Sequence, residues 1–328
     1  MWKNIQSNRR LFFIMLVVAL VAILRLNKTA TSPAKRSATT VPEDSLFPGP
    51  GIKLQVQERE MILYGKDIIS NTSDYFGPKG SIDRTTNGMN CQSCHLNAGT
   101  KIWGNHLLNV YTSYPKFRER SGTTESIFKR VSDCFERSLN GTTPDSNSKE
   151  FKSIFAYLKF LGDSAKKKQS SGSSIEKLPF LSRAADPSKG KWVYISQCRS
   201  CHGIDGRGKL NSNKTGYEYP PLWGNNSFNN GAGLLRISLL AGFIKNNMPY
   251  NKASYQKPTL TTEQVWDVAA YICSKQRPFK DFSKDWPDIS KKPFDYPFGP
   301  FSDNFSETQH KFGPYKAIIA AKETTTDK

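Results

Sequence analysis

Acidic side chains are scarce in this chain: 28 Asp and Glu stand against 47 Lys and Arg, a formal charge of +19. That imbalance excludes an acidic surface and suggests an anionic counterpart, whether nucleic acid, membrane, acidic protein or small anion. Long apolar runs are also missing. The longest, Leu11 to Leu24, has fourteen residues, short of the ~20 that a full membrane span requires and suited to the core of an export signal. No cysteine precedes Cys91, which excludes a lipid-bearing cysteine near the start. Methionine and histidine are sparse, five and four residues in 328, and no methionine lies between His95 and Cys198.

What the chain does carry is one pentapeptide twice: Cys91-Gln-Ser-Cys94-His95 and Cys198-Arg-Ser-Cys201-His202. Thiols three residues apart sit one helical turn apart, where each can bond a vinyl group of a porphyrin. The histidine that follows then lies under the iron as proximal ligand. This is the attachment pattern of haem c; a zinc site or a redox dithiol needs no histidine at the same place in both copies. The pair predicts two covalently bound haems c on Cys91, Cys94, Cys198 and Cys201, with His95 and His202 as axial ligands. Covalent haem is installed outside the cytoplasm, which removes nucleic acid from the partners. The N-terminus agrees, with Lys3, Arg9 and Arg10 before the apolar run and Arg25 and Lys28 after it. Residues 11–26 read either as a short inner-membrane anchor or as a signal that is cleaved, with Ser32-Pro33-Ala34 the nearest small-x-small site. Both readings put the rest of the chain in the periplasm.

Composition divides the chain into a signal or anchor (1–28), a tether (29–50), a first haem domain (51–163), a polar linker (164–178), a second haem domain (179–280) and a C-terminal extension (281–328) that wraps back over a domain surface. The expected fold is mainly α: two tandem class I cytochrome c domains, each around one covalent haem, with long loops. Asp186-Pro187 predicts an N-cap followed by proline at the first helical position, and Thr261 with Gln264 predicts a capping box. Behind that box Val265, Val268, Ala269, Ile272 and Cys273 form one apolar face. The matching helices of the first domain are expected near 54–64 and 148–161, the latter with Ile154, Phe155, Leu158 and Leu161 on one face.

Each haem iron has a second axial position. Met248 follows His202 by 46 residues on a Met-Pro loop before the closing helix, and is the candidate there; Lys245 is the competitor. The first domain offers His106, eleven residues past His95, Met61 and Met89 upstream, and the soft donor Cys134. Four of six cysteines hold haem, so Cys134 and Cys273 remain: either a disulfide across domains, or a free thiolate at Cys134 and a buried apolar Cys273. Arg130, Cys134 and Ser138 are spaced i, i+4, i+8 on a helix expected to close with Gly141 at C′. A guanidinium one turn from the thiol favours the thiolate and suits a sulfur oxyanion. Arg118 and Arg120 stand just upstream.

Several segments resemble the dihaem thiosulfate dehydrogenase family, whose members include tetrathionate reductases. They are Gly88 to Gly99 around the first motif, Tyr114 to Gly122, Asp133 to Gly141, Asn247-Met-Pro249, and His310 to Tyr315, together spanning about residues 55 to 318. The resemblance implies an active-site haem ligated by His95 and Cys134, and an electron-transfer haem ligated by His202 and Met248. Some members place a lysine beside the methionine; here that neighbour is Asn247. It also implies catalytic roles for Cys134 as reactive sulfur and for Arg120, Arg130 and Ser138 as walls of an anion pocket. The reaction implied is two thiosulfates giving tetrathionate and two electrons, or its reverse, with a periplasmic cytochrome c or similar carrier as partner. Two other classes are a dihaem electron carrier without a substrate, which needs no arginine row, and a dihaem peroxidase, which needs an open or histidine-switched iron. Neither predicts a lone cysteine opposite the first haem.

Overall fold

The computed structural model describes residues 55–168 and 174–326. The expected export segment and tether, and residues 169–173 of the linker, lie outside them. Among the described residues no helix is long and apolar enough to cross a membrane. Among the described residues the α-helices of seven residues or more are α1 (Val56–Ser70), α2 (Ile127–Asp133), α3 (Lys149–Lys168), α4 (Pro187–Gln197), α5 (Ile237–Asn247), α6 (Thr262–Cys273) and α7 (Lys316–Thr326). Strand among these residues is confined to two antiparallel pairs, Lys116–Arg118 with Thr123–Glu125 and Lys209–Leu210 with Tyr217–Tyr219. The chain is a mainly helical protein of two cytochrome c domains.

Each half is built on one helix crossing. α1 packs on α3, and α4 packs on α6. Both crossings are closed by a glycine: a Cβ on Gly65 would lie 1.9 Å from the Ser153 carbonyl oxygen, and one on Gly190 1.9 Å from that of Asp267. Side-chain-free backbone at these points lets two helix axes approach more closely than ordinary ridges permit. Gly65 therefore lies inside α1, which continues to Ser70 rather than stopping near residue 64. In the second half the capping chemistry is as expected. Asp186 accepts from the Ser188 and Lys189 amides ahead of Pro187, and Thr261 and Gln264 form the reciprocal box of α6.

The α1–α3 crossing buries Ile62, Ile68, Phe151, Ile154 and Leu161. The α4–α6 crossing buries Tyr194, Val265, Trp266, Val268 and Ala269, and this second core also takes in Tyr315 and Ile318 from the C-terminal extension. Cys273 is buried in it, 2% exposed, and both Cys273 and Cys134 are unbonded. The apolar role of Cys273 thus needs no disulfide.

The helix bearing Cys134 departs from expectation in three ways. Thr123–Glu125 is strand, so α2 opens only after Ser126, whose hydroxyl accepts from the Lys129 amide. At Cys134 the α-helix gives way to a π-helical turn, Cys134–Ser138. The left-handed residue that ends it is Asn140, with φ 46°, not Gly141; asparagine is among the few side chains that tolerate this region.

Candidate active site

The first motif is fixed by short-range contacts. Cys91–Ser93 form a 3₁₀ turn capped reciprocally by Asn90 and Ser93. The Cys91 amide donates to the Thr72 hydroxyl, which donates to the Ile68 carbonyl at 2.7 Å and lies 3.3 Å from the Cys91 sulfur. His95 Nδ1 lies 2.6 Å from the Asn105 carbonyl oxygen. A carbonyl can only accept, so Nδ1 carries the proton and Nε2 keeps its lone pair. Burial, joined by the charges of Arg130 and His106 and opposed by the Asn105 contact, brings the imidazole down to about 4. His95 is therefore a neutral imidazole whose Nε2 is unprotonated.

Cys91, Cys94 and His95 line a cavity enclosing about 960 Å³, its mouth included. Ile69, Ile154 and Leu158 supply apolar wall, and Arg130, Cys134 and Ser138 also face it. Arg130 Nη1 stands 3.4 Å from Cys134 Sγ, and the sulfur raises the guanidinium's already high value further. The expected row of three is therefore gathered on one cavity. Of the sulfurs lining this cavity, Cys134 is the one that receives a guanidinium donor.

The second motif repeats the anchor. His202 Nδ1 donates to the Pro220 carbonyl at 2.8 Å, and burial lowers this imidazole as well. Cys198, Cys201, His202 and Met248 line one cavity of about 1570 Å³, mouth included, with Leu240, Phe243 and Ile272. Among the described residues no lysine or arginine lines it. Lys245, the competing donor, is absent from that lining and gives its ammonium to the Leu260 carbonyl at 2.5 Å.

Each cavity joins two thiols, a histidine with its Nε2 free, and an apolar lining. That donor set fits a covalently attached haem, whereas among the described residues no three His, Cys, Asp or Glu converge on a bare metal site.

Arg120 is not brought to the first cavity. Its Nη1 donates to the Gly231 carbonyl at 3.1 Å, its Nε lies 3.9 Å from Asp285, and its guanidinium packs near Trp286 and Tyr296. Arg118 is likewise elsewhere, 4.0 Å from Glu125. His106, eleven residues past His95, also lines the first cavity. Met89, Asn90 and Cys94 line both cavities, so the wall between them is the segment just before and within the first motif. Tyr114 lies within electrostatic reach of Arg130 and Cys134; its place in the Tyr114 to Gly122 segment was the only sequence signal for it.

Residues 187–276 match the family described as cytochrome c, and residues 81–166 match that described as SoxA/TsdA, cytochrome c domain. The chain is 37% identical over 220 residues to the thiosulfate dehydrogenase of Stutzerimonas stutzeri, covering 67% of this chain and 68% of that protein. It is 33% identical over 246 residues to that of Allochromatium vinosum, covering 74% and 85%. A solved structure, thiosulfate dehydrogenase (TsdBA) from Marichromatium purpuratum in its "as isolated" form, aligns with a TM-score of 0.61 at 27% identity. The alignment covers 70% of this chain and about half, 49%, of that longer one.

Proposed function

Since the chain belongs to the thiosulfate dehydrogenase family of dihaem c-type cytochromes, we propose that it joins two thiosulfates into tetrathionate at Cys134, or runs that reaction in reverse. It carries two covalently bound haems c and is an oxidoreductase. The observation that carries the assignment of the site is the Arg130 guanidinium on the Cys134 sulfur, in the cavity of the first haem motif.

The chemistry asks three things of these residues. Two dianions must be brought together, and Arg130 offsets part of their repulsion with a charge held in a part-buried setting. A sulfur must accept the first thiosulfate: the Cys134 thiolate joins its terminal sulfur, forming a Cys134–S–S–SO₃⁻ adduct as two electrons leave. The terminal sulfur of the second thiosulfate then attacks the sulfane sulfur of the adduct, the bond to Cys134 breaks, and tetrathionate departs with the thiolate restored. Ser138, on the same wall, offers a hydroxyl to the anion's oxygens. When bound, the two haems supply one-electron acceptors and pass the electrons on to a carrier.

His95 and Cys134 would hold the iron of the first haem, and His202 and Met248 that of the second. Gathering Met248 with the second motif around one cavity supports the latter. We place the chain in the periplasm, with residues 11–26 as anchor or removed signal, domains at 51–163 and 179–280, and a small cytochrome c or similar carrier as partner.

The test is an assay of the haem-loaded protein with thiosulfate and ferricyanide, tetrathionate being quantified at the end. Ferricyanide loss at two per tetrathionate formed is expected. If neither this reaction nor the oxidation of reduced viologen by tetrathionate proceeds, the protein is an electron carrier and the proposal fails.

A further inference from the structure

The turn that carries Cys134 leaves its own backbone unfinished. In an α-helix the carbonyls of residues 134 to 137 would accept from amides four residues on. Here the Leu139 amide goes back to the Cys134 carbonyl, and the Gly141 amide to that of Phe135. The carbonyls of Glu136 and Arg137 are left without helical donors. A carbonyl taken out of water needs a donor in its place, so donors from outside the turn favour this arrangement of it.

What satisfies them comes from the second haem half and the C-terminal extension. Asn229 Nδ2 donates to the Glu136 carbonyl at 2.8 Å and to Asn140 Oδ1 at 2.9 Å, while the Asn229 amide donates to the Arg137 carbonyl at 3.1 Å. Lys280 Nζ reaches the Glu136 carbonyl at 3.3 Å and the Gly141 carbonyl at 2.7 Å. The Arg137 side chain, 9% exposed, is gripped by both oxygens of Asp285 at 2.7 and 2.9 Å and lies 4.0 Å from the Phe282 ring centre. Arg120 belongs to the same clasp: its carbonyl accepts from the Trp286 amide at 2.7 Å, and its guanidinium ties to Gly231.

We propose that Asn229, Lys280 and Asp285 are positioning residues for Cys134: they hold the π-turn open from the far half of the chain and so keep the sulfur facing the first cavity. Without these donors the cheaper arrangement is a regular α-helix, and each residue of slippage turns a side chain by ~100° about the axis. Such a turn takes the Cys134 sulfur off the cavity wall or parts it from Ser138. The proposal rests on the reading of Cys134 as the sulfur facing the first haem.

The test uses the full-length haem-loaded protein and the variants Asn229→Asp, Lys280→Met, Lys280→Arg and Asp285→Asn, with Cys134→Ala as reference. The readouts are the absorption and electron paramagnetic resonance signatures of the oxidised haems, the midpoint potential of each haem, and kcat and KM separately. Asn229→Asp, Lys280→Met and Asp285→Asn should shift the first-haem signature and potential toward those of Cys134→Ala and lower kcat by about 100-fold, as a misplaced reacting group does. The methionine-ligated signature of the second haem should stay, which shows the fold intact. Lys280→Arg, which keeps the donors, should retain both signatures. If the first-haem signature and kcat of the three stay within twofold of the parent while Cys134→Ala changes them, the positioning proposal is overturned and the role of Cys134 stands. If Cys134→Ala leaves the first-haem signature unaltered, the underlying reading fails and the proposal with it.

Discussion

The two haem cavities are alike around the attachment motif, here called the floor, and differ in the rest of the lining, here called the wall. Below, the likeness is close: a glycine at the helix crossing, a histidine tied through Nδ1 to a carbonyl, and a tyrosine from the crossing. That tyrosine donates to backbone just past the motif, Tyr157 to Ala98 at 2.9 Å and Tyr194 to Gly203 at 2.6 Å. Above, the first cavity presents Arg130, Cys134 and Ser138, and the second a methionine among apolar side chains, with no lysine or arginine from the described residues. Attachment constrains the floor because the covalent geometry leaves little freedom; the remaining wall is free to diverge, and in the proposed function the two halves take different work there. A charged wall suits an anion that reacts, and a neutral thioether wall suits an electron that only passes.

The largest effect should come from removing what makes the first wall unlike the second. Cys134→Ala is expected to lower tetrathionate formation by at least about 10³-fold, as loss of a nucleophile does, while haem staining of the denatured chain shows both haems still attached. Arg130→Ala removes the charge and leaves the sulfur; losing a charge-assisted partner worth about 1.5–3 kcal/mol should lower kcat/KM by ~10–100-fold, with Arg130→Lys recovering only part because the fork is lost. On the other side, Met248→Ala should abolish the methionine signature of the second haem and slow turnover on the order of tenfold, since the axial ligand sets the potential. The first-haem signature should not move.

The shared floor is tested by stability rather than rate. Gly65→Ala and Gly190→Ala each force a methyl group against a carbonyl oxygen, and each should cost ~1–3 kcal/mol in denaturant unfolding; a large cost at only one crossing would break the likeness. Ser138→Ala should be the mildest, raising KM by a few-fold, in keeping with about 0.5–1.5 kcal/mol for a neutral hydrogen bond.

Much of the floor was legible in the sequence because chemistry fixes its spacing. Both pentapeptides, the caps at Asp186 and Thr261, and the apolar face through Cys273 needed no tertiary information. Cys134 stood out by scarcity, as the one soft donor left between His95 and Cys198 apart from a histidine. The rest depends on contacts distant in the chain. The spacing of Arg130, Cys134 and Ser138 is equally consistent with an α-helix, so it gave no sign of a π-turn whose support comes from Asn229 and Lys280. Arg120 joined the anion pocket through the family resemblance and its nearness in sequence, yet its partners Gly231 and Tyr296 are 111 and 176 residues away. Met89 is too near Cys91 to fold over the same haem, and no local pattern signals that it forms wall for two cavities.

The clasp on the Cys134 turn bears on how such proteins can be recombined. Two domains in tandem invite the view that either can be exchanged between relatives at the linker. Here a graft of the first domain alone would separate Glu136 and Gly141 from Lys280, the Arg137 backbone from Asn229, and the Arg137 side chain from Asp285. Chimeras that exchange residues 229 and 280–286 together with the first domain should keep their catalytic wall; chimeras cut at the linker should inherit haems without it. The unit of inheritance for the chemistry is thus larger than the domain that contains it.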